Sequence, residues 1–208
     1  MISKRATLKG AGALVAVAVA AGVGGCSSSG SDQSPSSAAP SSAPSSAEAH
    51  GDAHGGAHGD ADVMFAQHMI PHHKQAVEMS DVLLSKQGVD PRVLDLAKQI
   101  KAAQGPEIEQ MQGWLQQWGD PPPMNHADMP EMQGMVSEED MTALKNAQGV
   151  QAAKLFLNHM IAHHEGAIAM AQDEIKDGRF PAAVAMARSI VTAQQQEIDT
   201  MRGILGTV

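Results

Sequence analysis

Fourteen methionines and ten histidines in a chain of 208 residues, against a single cysteine, put most of its metal-ligand chemistry into thioether sulfur and imidazole nitrogen. These residues are grouped. His68, Met69, His72, His73 and Met79 stand together, and His159, Met160, His163, His164 and Met170 repeat them at the same spacing. Each group is followed downstream by a glutamine, a glutamate and a methionine: Gln104, Glu107 and Met111, then Gln194, Glu197 and Met201. At about 100° per residue, His68, His72 and Met79 fall on one side of a helix, and His73 lies on the other flank beside Met69. Imidazoles four residues apart have Cβ atoms roughly 5–6 Å from each other, close enough to share an ion, so His68–His72 and His159–His163 are the expected pairs. Glu107, Met111, Glu197 and Met201 are expected to complete the ligand set from a partner helix. One histidine on an apolar face is ordinarily a hydrogen-bonded core residue, and a methionine stripe is flexible filler. Six histidines in two identical triplets need a partner for every buried nitrogen, and metal ligation supplies it.

Between the two groups, after three prolines, the chain carries Met124, His126, Met129, Met132 and Met135 in an otherwise polar stretch with no helical stripe to bury them. They form either a lid packed over the fold or an auxiliary set of ligands. Thioethers select Cu(I) and Ag(I), imidazole suits copper in either oxidation state, and hard cations want oxygen; copper therefore fits this mixture best, with silver as its mimic. A third cluster, His50, His54 and His58 among glycines and aspartates, offers a loose site for a divalent ion such as zinc, or is a plain solubilising linker.

The elements that must position these residues are helices. Phe65, Met69, His72, Ala76, Met79 and Leu83 recur at spacings of three and four, as do Val93, Leu96, Ile100, Ile108, Met111 and Leu115. No stretch alternates with period two for long enough to make a strand. The segment from Asp62 to Gly119 aligns with Lys154 to Leu205 through one deletion, so the folded part is a duplication. Gly88 with Asp90-Pro91, and Gly178 to Pro181, separate the helices within each copy. The expectation is an all-α, antiparallel four-helix bundle of two helical hairpins. The boundaries are 62–119 for the first hairpin, 120–136 for the Met/Pro-rich linker, and 137–208 for a short helix, opening on Ser137-Glu-Glu-Asp, plus the second hairpin. Pro71 and Pro106 should kink their helices rather than end them.

The remaining segments are an address and a tether. Lys4 and Arg5 precede an apolar run from Ala11 to Val23, closed by Gly24-Gly25-Cys26. That order marks an export signal over 1–25, too short for a permanent membrane span. Val-Gly-Gly-Cys resembles the lipobox of bacterial lipoproteins, which implies cleavage before Cys26, a lipid on its sulfur, and a protein held at the outer face of the cell membrane. Residues 26–61 are rich in Ser, Ala, Pro and Gly and are expected to form a disordered tether. With 23 acidic against 14 basic side chains, nucleic acid is excluded as a partner. One cysteine excludes an internal disulfide and Cys-rich zinc folds.

Met-Ile-x-His-His-x-x-Ala-(Val/Ile)-x-Met at Met69–Met79 and Met160–Met170, with Gln-x-x-Glu-Ile-x-x-Met at Gln104–Met111 and Gln194–Met201, resembles the family known as domain of unknown function 305. The resemblance covers about Asp62 to Leu205. It implies a ferritin-like bundle, an envelope location and, for members with an assigned role, copper binding and tolerance; it carries to His72, His73, His163, His164 and the methionines of the motif. The leading expectation is a non-catalytic, envelope-anchored metal-binding protein that sequesters copper or hands it to a partner protein, as a monomer or a homo-oligomer, with affinity falling below about pH 6 as imidazole protonates. Two alternatives compete with it. A ferritin-like metal-dependent oxidase needs Glu-x-x-His, and no glutamate here has a histidine three residues later. A pH-responsive interaction module would use the histidines without metal. No hydrolase constellation is present: the sole thiol lies in the export signal and there is no Gly-x-Ser-x-Gly elbow.

Overall fold

The computed structural model describes residues 57–119, 121–122 and 133–208. Among these the chain forms five helices and no strand: α1 (Asp60–Leu84), α2 (Pro91–Gln117), α3 (Glu138–Asn146), α4 (Gly149–Asp177) and α5 (Pro181–Leu205). Helices α1 and α2 pack along each other as one hairpin and α4 and α5 as another. The hairpins meet mainly through α1 against α4, with α2 touching α5. The sequence explains where the helices start. Asp90 accepts a hydrogen bond from the Arg92 amide at the head of α2, with Pro91 in the first turn where its missing N–H costs nothing. Pro181 does the same for α5, and the Ser137 hydroxyl accepts from the Asp140 amide to cap α3. Pro71 and Pro106 lie inside continuous helices; neither ends its element.

One buried carboxylate ties the open end of the first hairpin to the turn of the second. Asp62, on the first turn of α1, accepts hydrogen bonds from the backbone amides of Gly59, Arg179 and Phe180. It thereby caps α1 and holds the turn between α4 and α5. Burial alone would raise its pKa, but bonds from Gly59, Phe180, the neighbouring Glu174 carboxyl and Arg179 outweigh burial and hold it below the usual value. Glu174 answers in the opposite direction: burial, then its hydrogen bond to Asp62 and the charge there, pushes its pKa up to about 8.

The apolar interior falls into two clusters. One gathers Met79, Leu83, Phe156, Met160, Met201 and the α3 side chains Met141 and Leu144. The other gathers Phe65, Met69, Met111, Trp114, Phe180 and Ile190. Between them in sequence, on both α1 and α4, come the His-His dipeptides: Met69-Ile70 and Ala76 flank His72-His73, as Met160 and Ala167 flank His163-His164. A polar layer thus divides the core. Among the described residues no helix is long and apolar enough to cross a membrane. Cys26 and the tether up to residue 56, with Met124, His126, Met129 and Met132, lie outside the described residues.

Candidate metal centre

All four histidines of the two dipeptides are buried. Their helical phase places the first of each pair at the contact between α1 and α4 and the second toward the partner helix of its own hairpin. The rings of His72 and His163 meet there, centroids 3.7 Å apart and tilted by 36°. His73 donates from Nε2 to Glu107 Oε2 of α2 at 2.8 Å, and His164 does the same to Glu197 Oε2 of α5 at 2.6 Å. The duplication therefore produces a near-twofold arrangement with a histidine pair at its centre and a His–Glu couple on either side.

The nitrogens left over define the chemistry. His72 donates from Nε2 to the Gln133 carbonyl at 3.3 Å, which leaves Nδ1 as the lone pair of its neutral ring. Nδ1 of His72, His73, His163 and His164 is in every case buried without a hydrogen-bond partner, and so is Nε2 of His163. Buried polar atoms are normally satisfied; of these five ring nitrogens four carry lone pairs that a Lewis acid could meet, since one nitrogen of neutral His163 bears a proton. Burial, then the His73 and His164 charges, pushes the pKa of His72 down to about 3, against a weak backbone bond to Gln133. Burial, then His72, His164 and His73, likewise holds His163 well below the imidazole range. Both rings are thereby held in the neutral form that a ligand must have.

Other predicted residues have distinct places. Glu107 and Glu197 hold histidines by their Nε2–H, the usual outer-shell arrangement of a ligating imidazole, and both line a crevice of about 20 Å³ with Gln104 and Gln194. Met69 and Met111 are fully buried on one side of the histidine layer, and Met79, Met160 and Met201 on the other. His68 lines an open cavity with Met170. His159 Nε2 faces Asp140 of α3 at 4.0 Å. Met135 is half-buried on the described end of the linker. Among the described residues no three His, Cys, Asp or Glu side chains form a ready-made ligand shell.

The described end of the linker forms a strap over this layer, held by anchors that sequence reasoning did not name. Residues 133–136 cross α1 and α4 with the Gln133 carbonyl on His72. Gln75 anchors them twice, donating from its amide to the Val136 carbonyl and accepting from the Val136 N–H, both at 2.8 Å. The residue that repeats Gln75 is Gly166, where a Cβ would lie 1.8 Å from the Gln133 oxygen. At Gly134, with φ +83°, a Cβ would lie 2.4 Å from the Ala162 carbonyl. The trace in the sequence was one of several mismatches between the copies, a glutamine in one where the other has a glycine.

The family model for domain of unknown function 305 matches residues 62–205, which takes in both hairpins and the strap. The chain belongs to the DUF305 family. It is 34% identical to a DUF305 fragment from Deinococcus radiodurans, with a TM-score of 0.64 over 73% of this chain and 99% of that one. A DUF305 protein from Streptomyces coelicolor described as secreted is 33% identical, with a TM-score of 0.65 over 70% and 91%. CopM in its Cu(I)-bound form is 30% identical, with a TM-score of 0.57 over 68% and 93%; the same protein has been solved with Cu(II), with silver and in the apo form. No curated protein matches the chain. None of these DUF305 relatives is named as an enzyme.

Proposed function

We propose that the protein is an exported, lipid-anchored copper-binding protein that sequesters Cu(I) or Cu(II) at the cell envelope, or hands it on, without catalysing a reaction. The observation that carries this reading is the set of buried Nδ1 atoms of His72, His73, His163 and His164, none with a hydrogen-bond partner. His72 and His163 would hold the ion from the two halves of the bundle. His73 and His164, each fixed by a glutamate, would stand beside them, and the flanking thioethers would favour the softer Cu(I). Support from relatives comes from CopM, solved with copper and silver, and from the Streptomyces protein described as secreted. The anchor rests on Cys26 directly after the apolar run, and transfer of the ion rests on the methionine-bearing linker.

Titrating the full chain with Cu(I) and Ag(I) against a competing chelator tests the reading. Sub-micromolar binding, lost when His72 and His163 become alanine, is the expected result; wild-type binding no tighter than micromolar ends it. The oxidase alternative draws on the Glu107 and Glu197 carboxylates sharing one crevice. It is tested by oxygen consumption on adding Fe(II), and silence there removes it.

A further inference from the structure

The duplication gives the bundle two equivalent grooves between α1 and α4, one at each end, and the chain treats them differently. At one end the groove is walled by Ala152, Leu155, Phe156, His159, Met79, Val82, Leu83 and Lys86 in repeat register. Helix α3 covers it: Met141 and Leu144 pack into the same cluster as Leu83, Phe156 and Met79, with Val82 and Leu155 against it. The Lys86 ammonium donates to the Lys145 carbonyl at the end of α3. Nothing among the described residues covers the other groove, which is a cavity of about 270 Å³. Its walls are the repeat partners of the first set: Ala61, Met64, Phe65, His68, Met170, Asp173, Glu174 and Asp177. Where the covered groove has Leu155, the open one has Met64; where the covered one has Val82, Leu83 and Lys86, the open one has three carboxyl side chains.

We propose that the cavity walled by Met64, His68 and Met170 is a second soft-ion site, at which Cu(I) or Ag(I) is taken from solution before it reaches the interior histidines. Met64 and His68 are four apart on α1, so both project over one turn toward Met170 of α4. Met64 is 41% exposed, one of only two large apolar side chains left in water among the described residues, an unfavourable place for a methionine whose sole task is packing. Two thioethers and an imidazole are a donor set for a d10 monovalent ion, and Asp173 and Asp177 at the rim give a negative field that draws cations in. His68 precedes His72 by one turn of α1, about 6 Å along the axis, so the cavity opens next to the buried layer.

This site deepens the copper-binding reading and rests on it, and the test separates the two. The full chain, labelled with 13C at the methionine methyls, is titrated with Ag(I) as the redox-inert probe. The Met64 and Met170 methyl resonances should shift, and in Met64→Leu/Met170→Leu the total silver bound should fall by one equivalent while His72 and His163 still titrate. Uptake into the interior should also slow at least fivefold in that variant. If the interior histidines respond to Ag(I) while the Met64 and Met170 methyls stay fixed at saturation, the second site is refuted and the interior reading stands. If no resonance moves at all, the interior reading fails with it. The wild-type spectra decide both outcomes even where the double variant is unstable.

Discussion

Replacing His72 and His163 together by leucine should make the metal-free protein more stable while removing its response to metal. The two rings bring three buried nitrogens without hydrogen bonds into the core: Nδ1 of His72 and both nitrogens of His163. Leaving a buried polar atom unsatisfied costs about 1–3 kcal/mol, and the low end of that range for each atom gives about 3 kcal/mol. Leucine forfeits the His72 hydrogen bond to the Gln133 carbonyl, worth about 1 kcal/mol, but Gln133 is exposed and water can replace the donor. The expected net gain is about 2 kcal/mol, or roughly 4–8 °C in Tm for a domain of this size. The assay is urea and thermal unfolding in the presence of a chelator, and again with Ag(I). Wild type should rise in Tm as silver is added and the variant should not. A metal-free double variant less stable than wild type would show that the rings serve packing, and the reasoning from orphaned nitrogens would be wrong.

Three further outcomes follow from the geometry. Glu174, raised from 4.5 to about 8, binds its proton more tightly in the folded state, so its contribution is intact below pH 4.5 and is lost as pH climbs to 8; discounting for partial solvation, Glu174→Gln should unfold about 2 kcal/mol harder than wild type at pH 9 and no differently at pH 4, measured by urea denaturation. Gly166→Ala puts a methyl against the Gln133 oxygen and should lift the strap, read as faster hydrogen exchange at the Val136 amide, which Gln75 otherwise holds, and faster exchange of bound silver. Ser137→Ala removes the cap of α3 and should cost about 1 kcal/mol by thermal unfolding, without changing silver stoichiometry.

The helices were legible because burial imposes a period on them: the three-and-four spacing from Phe65 to Leu83 and the Gly88 to Pro91 break locate α1 and α2 to within a few residues. The duplication then made the second hairpin nearly free to read. The pairing of histidines was not legible in the same way. A helical wheel ranks residues around one axis but carries no information on how the opposing helix is turned, so spacing could set His72 beside His68 but not show that its ring meets His163. The glutamates were placed on the correct helices, but nothing in spacing showed that each would grip the Nε2 of a histidine of its own hairpin. The strap has no period at all. Its trace lay in Gln75 and Gly166, one of several positions where the two copies disagree.

A core severed by its own polar stratum behaves unlike a continuous one. Methionine and leucine on either side cohere within their own halves, so a disturbance at the middle is not relayed as a collapse of the ends. Under the copper-binding reading proposed above, the waist could gain or shed a guest of single-atom size while the two greasy caps keep the rods in register. A cargo that must be gripped firmly and later surrendered is served by this division, since release demands only local loosening and no general melting.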